Sequence, residues 1–128
     1  MAAQFKTAVP YQPDALALPV ENLTAALPFY LMVFGFRLLS QQTSPSPTAI
    51  LARDDIQITL AENGGDPSQH GCFFEVSDVE EAFRELQANG LPQEEASYRT
   101  QEYGGVFYRV FFVIAPDGLC YCLGQRQT

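Results

Sequence analysis

An internal repeat constrains this chain more than any other feature. Val20 and Val76 stand 56 residues apart, as do Asn22 and Asp78, Leu23 and Val79, Ala26 and Ala82, and Leu27 and Phe83. Further along, the spacing widens to 63: Ile50 with Val113, Asp54 with Asp117, and Thr59 with Cys122. The second copy therefore holds about seven more residues in its middle loop.

Each copy reads as strand, helix and three strands. In the first, Asp14 to Val20 alternates apolar with small residues, Asn22 is a good N-cap, and Leu23, Ala26, Leu27 and Tyr30 follow at helical spacing. Pro28 falls inside that pattern and predicts a kink; Gly35 ends it. Strands are expected at Phe36–Ser40, Thr48–Ala52 and Ile56–Leu60. In the second copy, Cys72–Val76 is a strand and Asp78 a cap. Val79, Ala82, Phe83 and Leu86 mark a helix face, with Glu80 and Glu81 in its first turn. A strand near Ser97–Thr100 and a hairpin around Pro116-Asp117-Gly118 complete the unit. The domain limits follow: a flexible lead-in over 1–13, one domain over 14–126, module 1 over about 14–62, a linker over 63–69 with Gly64-Gly65-Asp66-Pro67, and module 2 over about 70–126. One apolar sheet face per module, covered by its helix, makes the fold class α+β.

Composition narrows the function. A net charge of −8 leaves no basic patch for phosphates, so nucleic acid is not an expected partner. No apolar run approaches the roughly 20 residues of a membrane helix, and Met1–Pro10 lacks a signal-peptide core. Three cysteines, two of them too close on one strand for an ordinary disulfide, fit a reducing cytoplasm.

The doubled βαβββ order, Asn22-Leu23 and Asp78-Val79 opening the helices, Phe29-Tyr30 before Phe34-Gly35-Phe36, and Ala115-Pro116-Asp117-Gly118 in the last hairpin resemble the vicinal-oxygen-chelate superfamily. That superfamily holds glyoxalase I, extradiol dioxygenases, and fosfomycin- and bleomycin-resistance proteins. The resemblance runs from about Leu16 to Gly124. It implies a curved mixed sheet enclosing a cleft, often completed by dimerisation, and in catalytic members one divalent metal held by His, Gln or Glu. The positions it implies for those ligands carry Ala15, Thr59, Gly71 and Cys122 here. Two of these have no ligating side chain, so no divalent metal and no other cofactor is expected. His70, the only histidine, stands one residue from a ligand position and is the remaining metal candidate.

Alternation then gives the cleft wall that the resemblance implies. Ala15 and Ala17 come from the first strand, Gln57 and Thr59 from the last strand of module 1, Phe73 and Glu75 from the first strand of module 2, and Cys120 and Cys122 from its last. Pairing across Pro116-Asp117 adds Arg109, Phe111 and Val113, and the repeat adds Ile50. Tyr103 and Tyr108, near Gly104-Gly105, are stacking surfaces for a planar ligand. The wall is largely apolar with a few polar groups, as in small-molecule sites. Glu75 is the candidate catalytic or cation-binding carboxylate. The expectation is a metal-free homodimer that sequesters a bleomycin-like or other aromatic, cationic compound, by analogy with resistance proteins, rather than an enzyme. The alternatives are a metal-dependent lyase or isomerase of the glyoxalase type, and a metal-free enzyme with Glu75 as base.

Overall fold

The computed structural model describes residues 3–10 and 17–127. Nine strands and two α-helices follow in the order β1 (Phe5–Pro10), β2 (Leu18–Pro19), α1 (Leu23–Pro28), β3 (Arg37–Gln42), β4 (Thr48–Arg53), β5 (Ile56–Ala61), β6 (Gly71–Val76), α2 (Val79–Ala88), β7 (Arg99–Tyr103), β8 (Val106–Ile114) and β9 (Cys120–Gln127).

The repeat is written into the sheets. Module 1 orders its strands β2-β5-β4-β3 and module 2 orders its own β6-β9-β8-β7. In both, the first strand runs parallel to the last and the other pairings are antiparallel. The second sheet has one strand more: β1 lies antiparallel along the outer edge of β6. The flexible lead-in expected over 1–13 is corrected for Phe5–Pro10; residues 1–2 and 11–13 lie outside the described residues. Phe5 is fully buried, and Phe5–Pro10 is an edge strand that a search for alternation missed because a bulge between Phe5 and Thr7 breaks its period. Residues 14–16, the start of the strand expected from Asp14, lie outside the described residues.

Both helices start where the caps predict. Asn22 accepts the Ala25 amide at 3.0 Å, and Asp78 accepts that of Glu81 at 3.0 Å. Pro28 has no amide to donate, and at that point α1 widens into a π-helical turn, Phe29–Val33. Gly35, at φ +74°, ends it.

The inner faces of both sheets and the buried faces of both helices share one core. Its centre is aromatic: Phe34 sits 5.1 Å from Tyr121 and 5.8 Å from Phe74, edge to face, and Phe74 stacks on Tyr121 at 5.2 Å. Among the described residues, one charged side chain enters it. Arg53 bonds the carbonyls of Phe34 (2.6 Å) and Ala3 (2.9 Å), pairs with Glu85 of α2 (2.6 Å), and lies 4.2 Å over the Phe5 ring. The next residue, Asp54, accepts the Phe5 amide at 2.9 Å. The β4–β5 turn thus straps residues 3–5 to α2 through Glu85, while Gln4 exchanges bonds with Ser77 just ahead of that helix.

Candidate ligand-binding site

A second, smaller apolar cluster lies on the opposite face of the second sheet from the core. It buries Tyr108, Val110 and Cys122, with Phe73, Val106 and Phe112 packed around them. The strands fix this face. Cys122 is registered against both Phe73 and Phe112, Gly124 against Val110, and Val106 against Tyr103. Directly paired residues point to the same side.

Three rings make its aromatic floor. Phe73 is 5.3 Å from Tyr103 and 5.1 Å from Tyr108, and the two tyrosines are 5.9 Å apart. Gly124 is what allows the Phe73 ring to lie across β9, since a Cβ there would stand 2.8 Å from Phe73 Cε1. The Tyr103 hydroxyl meets Cys122 Sγ at 3.9 Å. Desolvation, with smaller contributions from Cys122, pushes the Tyr103 phenol up to about 12. Burial pushes the Cys122 thiol up to about 11, so it stays protonated and unreactive at neutral pH. Arg99 lies 5.8 Å over the Phe112 ring, placing one cation at the rim. Tyr103 is 43% exposed and Ile114, paired with Cys120 on this face, is 71% exposed, so the surface opens to solvent.

Several expected wall residues meet here: Phe73, Tyr103, Cys120 and Cys122, with Glu75 further along β6, registered between Thr7 and Gly124. Ile50, paired with Thr59, and Gln57, paired with Ala52, share one face of the first sheet, a separate surface. Ala17 is half-buried ahead of β2, and Ala15 lies outside the described residues.

Arg109, Phe111 and Val113 are corrected. They point to the other side of the second sheet, under α2. Phe111 packs edge-on against Phe83 at 5.3 Å, Arg109 pairs with Glu80 and covers Tyr98, and Val113 is registered with Tyr121. The cause is parity. The connection is the five-residue loop Ala115–Leu119, closed by Ala115 N–H to Leu119 O at 2.8 Å, which sets Ile114 opposite Cys120. One residue of slip exchanges the faces of a whole strand. Of the alternate set, Tyr108 was expected as a stacking surface, and the residues missed are Val110 and Phe112. Because β8 is apolar on both faces, only the loop length could have chosen between them.

The positions implied for a metal do not suit one. Thr59 offers a hydroxyl, Gly71 nothing, and Cys122 a thiol held protonated and engaged with Tyr103. His70 ends a 3-10 turn, Pro67–Gln69. Its amide donates to Pro67 O and its carbonyl accepts from Cys120, while its buried Nδ1 has no hydrogen-bond partner. Among the described residues, no three His, Cys, Asp or Glu side chains gather as a ligand group.

Paired βαβββ modules, each with its first strand parallel to its last, define the class of fold. The chain belongs to the glyoxalase/bleomycin resistance protein/dioxygenase superfamily, whose family model matches residues 12–119. Among solved structures, it is similar to a bleomycin resistance determinant encoded on transposon Tn5 (24% identity, 88% of this chain and 95% of that one, TM-score 0.65). It is also similar to the bleomycin-binding protein of Streptomyces verticillus, solved with copper(II)-bleomycin (19%, 87% and 93%, TM-score 0.66). A third is TnmS3, an antibiotic-binding protein of Streptomyces sp. CB03234 (20%, 87% and 92%, TM-score 0.60). No curated protein matches. No helix among the described residues is long and apolar enough to cross a membrane.

Proposed function

We propose that this protein binds a small, planar organic molecule on the outer face of its second sheet, without a metal, and acts by holding it rather than transforming it. The carrying observation is the Phe73–Tyr103–Tyr108 ring group, set around a protonated thiol and left open on one side. Rings offer dispersion and quadrupole contacts to a flat ligand at small entropic cost. Glu75 supplies a carboxylate at the edge of the same face for a cationic substituent. Cys122 is protonated and its partner is the Tyr103 phenol, itself pushed up to about 12, so the two do not act as a nucleophile–base pair at neutral pH. Fold relatives that bind bleomycin and another antibiotic support this reading.

A homodimer belongs to the same reading. Val9, Tyr103 and Ile114 are large, exposed and on this one face, and a second copy would cover them around the ligand. Three unpaired cysteines suit the reducing cytoplasm.

Calorimetric titration with metal-free bleomycin, in chelator, tests it. Binding at micromolar protein is expected, weakened about tenfold by Tyr103→Ala. Absence of heat for bleomycin and for other planar cationic antibiotics, or heat that appears only after a divalent ion is added, would overturn the proposal.

A further inference from the structure

The repeat makes a comparison possible inside one molecule. In the second half, residues 3–5 fill the gap between the start of α2 and the β4–β5 turn. Gln4 N–H donates to Ser77 Oγ and Gln4 O accepts from Ser77 N–H, each at 2.9 Å. Phe5 N–H donates to the Asp54 carboxylate at 2.9 Å, and Ala3 O accepts from Arg53 at 2.9 Å. The repeat maps Ser77, Asp78 and Ala82 onto Glu21, Asn22 and Ala26 (each minus 56). It maps Arg53 and Asp54 onto Pro116 and Asp117 (each plus 63). Those counterparts surround a hollow of about 220 Å³, lined by Glu21, Asn22, Ala25, Ala26, Pro116 and Asp117. One copy of the slot holds a peptide; the other, among the described residues, is open.

We infer that this hollow is a docking slot for an extended, basic peptide segment, seated as residues 3–5 are seated in its twin. The backbone chemistry carries over. Asp117 stands where Asp54 receives an amide. Its Oδ2 accepts from the Tyr30 hydroxyl (2.8 Å) and its Oδ1 from Leu119 N–H (2.9 Å), which leaves each oxygen a further lone pair for an incoming donor. The side-chain chemistry differs at two positions, and together they set the preference. Arg53, the cation that balances Asp54 and Glu85 in the filled slot, is replaced by Pro116, and Ser77 by Glu21. The open slot therefore presents two carboxylates and no cation, and a neutral occupant would leave them uncompensated. The N-cap of α1 plays no part, since Asn22 already satisfies the Ala25 amide. The slot lies at the α1 end of the core, apart from the aromatic face, and stands or falls independently of the function proposed for that face.

The test uses a natural occupant of the twin slot as probe: a synthetic peptide of residues 3–9, Ala-Gln-Phe-Lys-Thr-Ala-Val, labelled at its C-terminus and followed by fluorescence anisotropy on the intact protein. Saturable binding is expected. Ala25→Trp, which fills the hollow from an exposed helix position, should abolish it, and Glu21→Lys should weaken it about fivefold. A peptide carrying Lys6→Glu should bind less well. Unfolding midpoints close to that of the parent chain establish that both protein variants fold. Absence of saturable binding, or binding unchanged in folded Ala25→Trp and Glu21→Lys, overturns the inference.

Discussion

Arg53 stabilises this fold by joining four segments at once: residues 3–5, the end of the helical segment at Phe34, α2 through Glu85, and its own turn through Asp54. Buried at 6% exposure, it is satisfied by two carbonyls and two carboxylates. Truncating one partner of such a buried group strands the others. Arg53→Ala should cost about 3–5 kcal/mol in a denaturant-unfolding experiment; a loss within the range of ordinary surface substitutions would show that the contacts are incidental. Asp117 makes a pH prediction. Burial raises its carboxyl above the ordinary 3.8, despite the opposing bonds from Leu119 and Tyr30. A carboxyl raised on folding favours the folded state while protonated, and that contribution is lost as pH rises through the folded value. Between 3.8 and that raised value, the parent chain should therefore lose stability with rising pH relative to Asp117→Asn, which keeps one acceptor oxygen for Leu119 N–H, turns a donor amide toward the Tyr30 hydroxyl and does not titrate. Unfolding midpoints measured across the acid range give the sign directly.

At the scale of the element, β8 carries the most information. Phe111 and Phe112 are neighbours in sequence and opposites in role. Phe111 is fully buried against Phe83 and Tyr98; Phe112 lies half-buried on the aromatic face under Arg99. Phe111→Ala should destabilise the protein by about 3–5 kcal/mol. Phe112→Ala should cost much less stability and instead weaken ligand binding. Paired unfolding and titration curves check both, and the reverse pattern would mean that the faces have been exchanged. This strand also shows where the sequence is silent. Asn22, Asp78 and Gly35 announce the helix limits because caps and stops are local chemistry. Pro28 announces a disturbance, but not that it takes the form of a π-helical turn. The face of β8 depends on the number of residues between two hydrogen-bonded pairs, and neither alternation nor turn composition states that number when both faces are apolar.

At the scale of the molecule, the repeat made the fold legible. Constant offsets, 56 through the helix caps and 63 through the turns and last strands, leave little besides two βαβββ units, and the sheets order their strands β2-β5-β4-β3 and β6-β9-β8-β7. The site was legible only in part. Phe73, Cys120 and Cys122 follow from alternation within their own strands, and Tyr103 and Tyr108 from their place beside the glycine loop, whereas Val110 and Phe112 require the register of the neighbouring strand. Strand β1 was illegible for a related reason: six residues with a bulge and a terminal proline carry no periodic signal, and the strand is held by Arg53, Asp54 and Ser77, far away in sequence. The central claim is that a planar ligand lies on the outer face of the second sheet with no metal between. The most direct test is an NMR titration of the side-chain ring resonances with metal-free bleomycin in the presence of chelator. The account predicts that the Phe73, Tyr103, Tyr108 and Phe112 rings shift together while Phe111 and Tyr98 stay in place. Shifts centred on Phe111 and Tyr98, or shifts that await an added divalent ion, would contradict it.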